Sequence, residues 1–413
     1  MITLEEVLSP ENMREACRRV MANKGAAGVD GMTVRQLPAH FERHGASIRA
    51  HIREGRYIPA AVRRVDIPKP NGGTRMLGIP TAQDRVIQQA IAQVLTEHFD
   101  PTFSEFSYGF RPGRSAHQAV EQAQRYIAEG YSYVVEMDLA KFFDTVNHDR
   151  LMSKLEKHIE DKMLLRLIRR YLRTGIMTEG MVQARDEGTP QGSPLSPILS
   201  LIVLDELDKY LEKRGLRFTR YADDNNVYVR SRRAGERVLE NLIAFIEGTL
   251  KLRVNRGKSG VFRPNRAKFL AYTFVGTTGA PRAHPKSFGR LRDKLKNIFY
   301  CARGTSLRAT IARLNPVLRG WRQYFRLDER KGVFEELDTH IRRHLSKPIW
   351  IAWKNPRTRE RNLIRRGIGP ERAWKSSVNG RGAWWNSKAL HMRQAFDNSF
   401  FKRMGLFSVL EMQ

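Results

Sequence analysis

Hydrophobic and polar positions along the first half of the chain follow both helical and strand-like periods. Residues 81–100 have apolar positions three or four apart, which predicts a helix with one buried face. Residues 133–137, 216–221 and 227–230 are short runs of β-forming residues, which predict strands. This part of the chain is therefore expected to combine helices with a small number of strands.

The segment 56–80 has the signals of a β-hairpin. It alternates basic and β-forming residues around a turn at residues 70–73. Lys69 and Arg75 flank the turn, so both side chains can project towards a triphosphate. An ordinary surface hairpin explains the same pattern when the segment is considered in isolation.

A second hairpin is predicted where Tyr-Ala-Asp-Asp separates the last two strand-like runs. Adjacent carboxylates at Asp223 and Asp224 repel each other, and a divalent cation would remove that penalty. Asp138 ends the strand-like run 133–137, so it can add a third carboxylate to the same sheet. Three such groups suit a pair of Mg²⁺ ions acting on a phosphoryl transfer. A solvated surface turn explains a lone Asp-Asp pair equally well.

Charge adds a preferred class of partner. The 413 residues include 73 Lys and Arg against 43 Asp and Glu, a formal net charge of +30, which points to nucleic acid before a membrane. Residues 276–413 hold 30 of the basic residues, only 10 of the acidic ones and all six tryptophans. We therefore expect this last third of the chain to bind nucleic acid.

Two absences agree with an intracellular protein. The two cysteines, Cys17 and Cys301, are too few for a disulfide framework, so free thiols in a reducing cytoplasm are expected. No stretch approaches the roughly 20 apolar residues that a membrane span needs, and no signal peptide precedes the first helix. We therefore expect a soluble protein of a bacterial cytoplasm; these features alone do not indicate an activity.

Three ordered motifs resemble one family. DLAKFFDTVNH at residues 138–148, GTPQGSPLSP at 188–197 and RYADD at 220–224 are similar to reverse transcriptases, most closely those encoded by group II introns. The resemblance covers essentially the whole chain. It implies an α+β fold of the right-hand polymerase type, with fingers, an antiparallel-sheet palm and a helical thumb.

The resemblance also implies a metal site. Asp138, Asp223 and Asp224 match the family's catalytic carboxylates, and the backbone carbonyl of Leu139 is expected to join them as a ligand. Mg²⁺ is the expected cofactor because the ligands are hard oxygens, with Mn²⁺ as a substitute. One ion would activate the primer 3′-hydroxyl and the other would neutralise charge on the triphosphate.

Further positions match the family's nucleotide and template contacts. Phe143 falls where a bulky ring blocks a ribose 2′-hydroxyl, so the product is expected to be DNA. The remaining nucleotide-binding candidates are Lys69, Arg75, Gln191 and Lys258. The template or RNA-binding candidates are Arg111 and Arg114 in YGFRPGRS, and Arg319, Arg322 and Arg326 in and after LNPVLRGWRQYF, which resembles the maturase thumb.

Two segments after residue 267 contain residues that affect the expected backbone. In KFLAYT (residues 268–273), which resembles the primer-grip hairpin, Ala271 stands where the family usually has glycine, so a positive φ there would be strained. Asn315–Pro316 is expected to kink or start a helix. The aromatic residues after it have helical spacing, which favours core packing over stacking on RNA.

The motifs divide the chain into four expected regions. These are an N-terminal extension (1–50), reverse transcriptase fingers and palm (51–276), a thumb or maturase domain X (277–350) and a basic DNA-binding region (351–413). No Cys/His zinc cluster follows the last region, so no endonuclease domain is expected.

The leading functional hypothesis is an RNA-directed DNA polymerase encoded by a group II intron. It would extend a DNA or RNA primer on an RNA template with dNTPs, and would also bind its cognate intron RNA and target DNA to aid splicing and retrohoming. Two alternatives stay open at this point. One is a domesticated group II-like reverse transcriptase that acts in DNA repair or defence, and the other is mainly an RNA-binding splicing maturase. The intact acidic triad argues against a purely splicing protein.

Overall fold

The computed structural model describes residues 2–68, 72–140, 142–178, 181–183, 192–302 and 304–411. The chain divides into two compact units. Unit 1 comprises Met1–Leu270 with Gly276–Gly279, and unit 2 comprises Ala271–Val275 with Ala280–Gln413. Among the described residues, no helix is both long and apolar enough to cross a membrane.

Unit 1 mixes helices with short strands. Its helices are α1 (Leu4–Leu8), α2 (Pro10–Ala22), α3 (Leu37–Arg53), α4 (Ala82–Phe99), α5 (Ala116–Ala128), α6 (Phe142–Thr145), α7 (His148–Glu156), α8 (Lys162–Arg173), α9 (Ser196–Lys213) and α10 (Arg232–Phe245). Its strands are β1 (Val62–Pro68), β2 (Thr74–Ile79), β3 (Tyr133–Met137), β4 (Ile176–Thr178), β5 (Met181–Gln183), β6 (Arg217–Tyr221), β7 (Asp224–Val229) and β8 (Gly260–Phe262).

Helix α4 shows how the sequence pattern becomes packing. Thr81 caps its N-terminus by accepting a hydrogen bond from the Asp84 amide (3.1 Å), as a Ser or Thr before a helix often does. The predicted apolar stripe is buried against α2 and the rest of one core, which also includes N-terminal helices and the sheet. Residues 1–50 therefore fold with the following region, and their role as a separate extension stays a prediction.

Two four-stranded sheets organise unit 1. The first has the strand order β2-β1-β4-β5, and its β1–β2 pair is the predicted hairpin over residues 56–80. The second has the order β6-β7-β3-β8 with every neighbouring pair antiparallel. Helices α5, α9 and α10 pack against this second sheet, which is called the palm sheet below.

Unit 2 is mostly helical. It begins with a two-stranded sheet of β9 (Tyr272–Val275) and β10 (Ala280–Ala283). Its helices are α11 (Pro285–Cys301), α12 (Leu307–Tyr324), α13 (Lys331–Ala352), α14 (Pro356–Arg365), α15 (Pro370–Ser377), α16 (Ala383–Asn386), α17 (Leu390–Ala395) and α18 (Asn398–Arg403). Helix α12 runs through Pro316, so no helix starts there.

The end of the chain folds back onto α12 and α13. The Asp338 carboxylate accepts hydrogen bonds from the backbone amides of Val409 (3.0 Å) and Leu410 (3.3 Å). The Asn315 side chain donates to the Gly405 carbonyl at 2.7 Å. One core joins these segments, so a boundary between residues 350 and 351 stays a prediction about function.

A buried histidine should make unit 2 sensitive to acid. Burial, and then the nearby positive charge of Arg372, lower the pKa of His391 to about 4, whereas an unfolded histidine titrates near about 6.5. The folded state therefore binds fewer protons, and its stability should fall as pH drops from about 6.5 towards about 4. Urea unfolding across that range should show the loss, and His391→Gln should reduce its slope. An equal slope in both proteins would contradict the assignment.

Candidate active site

The palm sheet brings the three predicted carboxylates to one edge. Strands β3 and β7 pair Met137 with Asn225, so Asp138 follows β3 at the end of the ladder where Asp224 begins β7. Strands β6 and β7 pair Tyr221 with Asp224 across the two-residue turn Ala222–Asp223. Asp138, Asp223 and Asp224 therefore share the edge at which β3 ends and β7 begins.

The turn that holds Asp223 has a demanding backbone. Ala222 takes a φ of +57°, a left-handed conformation that costs an L-residue energy. Gly109 lies directly beside it, and a Cβ atom there would sit only 2.3 Å from the Ala222 nitrogen. Any side chain at position 109 would thus push on the acidic turn. Sequence analysis assigned no role to Gly109.

The same segment is hydrogen-bonded to β6. The Tyr108 amide donates to the Arg220 carbonyl at 2.8 Å, and the Arg220 amide donates to the Phe106 carbonyl at 2.9 Å. The YGFRPGRS motif therefore supports the acidic hairpin from the side. It does so with its backbone, which a single sequence does not reveal.

A fully buried ion pair fixes the hairpin from within the core. The side chains of Arg220 and Asp208 have no solvent exposure. The Arg220 Nε donates to Asp208 Oδ1 at 2.7 Å, its Nη2 donates to Oδ2, and its Nη1 donates to the Ala222 carbonyl at 3.0 Å. One guanidinium thus links α9 to the turn that carries Asp223. Sequence analysis missed this pair as well.

Asp138 is held by the segment that follows α10. The Asn255 side chain donates to Asp138 Oδ2 at 2.9 Å, and the Lys258 ammonium lies 3.6 Å from the same oxygen. The Asp138 amide donates to the Ser259 hydroxyl at 3.1 Å. Leu139 forms a β-bridge with Val254, so its backbone is fixed beside the site.

The site concentrates negative charge. Desolvation, followed by repulsion from Asp223 and Asp138, raises the pKa of Asp224 to about 6, although its side chain keeps contact with solvent. Burial, together with repulsion from Asp224, raises the pKa of Glu136 to about 7. A bound cation would relieve this repulsion. Glu136, two residues before Asp138, is a further acidic group that sequence analysis did not single out.

The chemistry of these groups fits a hard divalent cation. Carboxylate oxygens from neighbouring strands are ligands that Mg²⁺ prefers, with substrate phosphates and water completing its shell. Within the described ranges, however, no three His, Cys, Asp or Glu side chains are placed so that they could together hold a metal ion. The fit therefore rests on donor type and backbone position, and the roles of Asp138, Asp223, Asp224 and the Leu139 carbonyl stay predictions.

The predicted nucleotide contacts are only partly visible. Lys69 and Gln191 lie outside the described residues, and the description of Arg75 is limited to its backbone in β2. Lys258 lies beside Asp138. Its role on the triphosphate stays a prediction.

Phe143 lines a cavity of about 560 Å³ in unit 1 together with Phe110, Gly192 and Ser193. The neighbouring Phe142 is buried in the core. Two motifs that are about 50 residues apart along the chain, DLAKFFDTVNH and GTPQGSPLSP, therefore meet at one cavity. Phe143, rather than Phe142, is placed to contact a ligand there.

Two of the predicted RNA-binding arginines are buried within the fold. Arg111 is buried, and its guanidinium pairs with Asp100 (2.7 Å) and donates to the Ser104 and Ser107 carbonyls. Arg322 is also buried, and it donates to the carbonyls of Val409 (3.0 Å) and Phe325 (2.8 Å). Burial and these internal hydrogen bonds disfavour a direct RNA contact for either guanidinium, and their role stays a prediction.

The other three arginines keep solvent access. Arg319 and Arg326 are exposed, and Arg319 lies over the Phe407 ring at 4.9 Å. Arg114 is half-buried, and its guanidinium lies 5.8 Å from the Tyr108 ring centre. These three side chains remain candidates for phosphate contacts, because a planar, permanently charged group matches oxyanions.

Comparisons with known proteins agree with the fold and with the motifs. The model of the reverse transcriptase (RNA-dependent DNA polymerase) family matches residues 67–274, and that of the group II intron, maturase-specific domain matches residues 289–367. Protein YkfC of Escherichia coli (strain K12) is 33% identical over 298 residues, which are 62% of this chain and 78% of YkfC. The chain therefore belongs to the reverse transcriptase family.

Two other similarities are more limited in extent. The group II intron-encoded protein LtrA of Lactococcus lactis subsp. cremoris is 34% identical over 215 residues, which span 52% of this chain but only 36% of LtrA. A chain of a partial Cas6-RT-Cas1–Cas2 complex aligns with a TM-score of 0.38 and 27% identity, over 58% of this chain and 42% of that one.

These findings confirm the resemblance to group II intron proteins and the α+β right-hand polymerase fold class. The chain is an RNA-directed DNA polymerase by family, with a maturase domain for splicing. Members of this class depend on a divalent metal and act on nucleic acid.

Proposed function

We propose that this protein copies RNA into DNA by Mg²⁺-dependent extension of a DNA or RNA primer with dNTPs. The observation that supports it best is the shared edge of β3 and β7, where Asp138 follows β3, Asp224 begins β7 and Asp223 occupies the adjoining turn. The +30 charge of the chain suits a polyanionic substrate. Mn²⁺ is expected to substitute for Mg²⁺, because it accepts the same oxygen ligands.

The protein's own groups would have distinct tasks in this reaction. When bound, the metal ions supply a lowered pKa for the primer hydroxyl and charge neutralisation on the triphosphate. Asp138, Asp223 and Asp224 would hold them, with the Leu139 carbonyl as a further oxygen. Asn255 and Lys258 orient Asp138 by contacting one of its oxygens. Lys69, Arg75 and Gln191 are proposed to contact the nucleotide.

The second part of the proposal concerns intron RNA. The maturase-specific match covers residues 289–367, and residues 276–413 hold a large excess of basic residues. We propose that unit 2 binds a cognate group II intron RNA to aid splicing, and binds target DNA during retrohoming. Both named relatives come from bacteria, which supports a bacterial cytoplasm as the setting.

Sugar selection should depend on Phe143. Shortening its ring to Val or Ala opens the space that a ribose 2′-hydroxyl would occupy, so discrimination against ribonucleotides should fall by roughly 10- to 200-fold, the range for a single steric contact. The measurement is the ratio of rNTP to dNTP incorporation on one RNA template. Phe142→Val is the matched control, because that ring is buried. An unchanged ratio in the Phe143 variants would place the gate elsewhere.

RNA binding should distinguish the exposed Arg319 and Arg326 from the buried Arg322. Arg319→Gln with Arg326→Gln should lower the log–log salt slope of RNA binding by about 0.7–0.9 for each lost phosphate contact. Extension of a pre-annealed short duplex at low salt should suffer less than splicing of a cognate intron. Arg322→Gln should instead destabilise unit 2, because it removes the hydrogen bonds that the guanidinium donates to two buried carbonyls. Equal loss of RNA binding and extension in the double variant would assign these arginines to the primer–template duplex.

A further inference from the structure

One of the six tryptophans lacks the partners that the others have. Five pack against an aromatic ring or a guanidinium; these are Trp321, Trp350, Trp353, Trp384 and Trp385. Within the part of the chain that the structure describes, no such group covers Trp374 on α15. It is 48% exposed, compared with 38% for Trp384 and Trp385. An indole exposed to this extent offers a flat apolar face with a polar N–H at its edge.

Trp374 forms one wall of a cavity of about 620 Å³. Val378 continues this wall and is 45% exposed. Helix α14 contributes Arg357 and Arg361 to the lining of the same cavity. The volume lies in the range of pockets that bind small ligands. Among the described residues, no acidic side chain lines it.

The two arginines lie four residues apart, so they occupy one face of α14. Both are exposed, and among the described residues neither has an acidic partner within ion-pair distance. Like charges in this arrangement destabilise a helix, and a bound phosphate would reverse that effect. Guanidinium groups match phosphate oxygens in charge and geometry.

A flat apolar surface next to two guanidinium groups is complementary to a nucleotide, which has a flat base and a negatively charged phosphate. An indole accepts any base by stacking, and the neighbouring arginines would hold the phosphate that is attached to it. A base within a duplex is already stacked between its neighbours, so the strand has to be unpaired at this point. An acidic peptide would satisfy the arginines but would leave the indole bare.

We propose that this pocket binds an unpaired nucleotide of a single strand, with its base on Trp374 and its phosphate on Arg357 and Arg361. This step rests on the intron-binding role proposed above. RNA is the expected source of the strand, because the maturase-specific match over residues 289–367 includes both arginines. The pocket is part of unit 2 alone, and no residue of the acidic edge contributes to it.

Photo-crosslinking of the full chain tests occupancy directly. The probe is an unstructured RNA that carries thiouridine, with a DNA of the same sequence and a fully paired RNA duplex as the other arms. Mapping should recover crosslinked peptides that contain Trp374 or the start of α14 with the single strand and lose them with the duplex. Recovery with DNA as well would assign the pocket to single strands of both kinds. Crosslinks confined to unit 1, or equally strong with the duplex, would overturn the proposal.

Affinity measurements separate stacking from charge. Trp374→Ala should weaken binding of the single-stranded RNA by roughly 5- to 150-fold without changing the salt slope, and Trp374→Phe should restore most of the loss. Arg361→Gln should lower the slope by about 0.7. Arg365→Gln is the matched control, because Arg365 is exposed on the same helix but outside the pocket. Equal effects of the two arginine changes would mean that the pocket does not hold a phosphate.

Extension of a pre-annealed short primer–template duplex distinguishes failure of the nucleotide-pocket proposal from failure of the polymerase proposal. It should stay near wild type in all four variants, because the acidic edge lies in unit 1. Normal extension with unchanged RNA affinity in Trp374→Ala would overturn the pocket and leave the polymerase proposal intact. Absence of extension in the wild type would instead overturn the polymerase proposal, whatever the pocket binds.

Discussion

Replacing Asp223 with Ala should lower RNA-templated primer extension by several orders of magnitude while RNA binding survives. This carboxylate lies in the turn between β6 and β7 and is expected to be shared by both metal ions, so its loss should remove the charge balance of the transition state. Asp138→Ala should behave alike. Extension is measured with excess enzyme over a range of Mg²⁺ concentrations, and RNA affinity is measured in parallel.

The matched control for these variants is Glu212→Ala. Glu212 is exposed near the end of α9, so the change removes one negative charge away from the acidic edge. It should leave extension close to wild type. Near-normal extension by Asp223→Ala would remove that carboxylate from the metal site, and equal loss in the control would point to a general charge effect.

Loss of Asp208 should have the second-largest effect, because it leaves Arg220 charged, buried and unpaired. Both side chains are fully buried, and breaking such a pair typically costs about 3–5 kcal/mol. Asp208→Ala should therefore lower the free energy of unfolding by that amount and reduce extension. Urea unfolding of the full chain with and without the change measures the first effect.

A double substitution of Asp208 and Arg220 distinguishes the effect of this pair on stability from its effect on the position of the acidic turn. Replacing the pair together, Asp208→Leu with Arg220→Met, removes both buried charges and should recover much of the stability. It still removes the hydrogen bond from Arg220 Nη1 to the Ala222 carbonyl. Extension should therefore stay low and require more Mg²⁺, even where the protein is folded. Full recovery of extension would show that the pair contributes stability alone.

Local patterns in the sequence predicted the elements that hold the site. The hairpin around Tyr221–Asp224 and the one around residues 70–73 both formed where strand-like runs flank a turn, because turn composition and period-two alternation are short-range signals. The apolar stripe of residues 81–100 likewise became α4. Asp138 lies near the Tyr221–Asp224 hairpin because β3 pairs with β7, as expected from a strand-end carboxylate on the same sheet.

Long-range partners explain what the sequence did not predict. Arg322 donates to a carbonyl 87 residues further along the chain, and an arginine's charge is the same whether it faces RNA or a buried carbonyl. Gly109 is required by the backbone of the acidic turn, which no local pattern records. Asp208 and Arg220 become partners only when α9 packs beside β6.

Ala271, where the family usually has glycine, has the positive φ that makes its backbone strained. Ala271 takes a φ of +65° and Leu270 before it a φ of +50°. Both are left-handed, so each costs energy that glycine would not. Ala271→Gly should relax this strain at its own position. Assignment of the segment to the primer grip stays a prediction.

Run-off synthesis with the purified chain tests most directly whether this protein copies RNA into DNA. A primer annealed to an RNA template is incubated with dNTPs and Mg²⁺, and the product is sequenced. A full-length DNA complementary to the RNA, formed by the wild type and lost in Asp223→Ala, is the expected result. The absence of any templated DNA product with either Mg²⁺ or Mn²⁺, from a folded protein that binds the primer–template, would contradict the account.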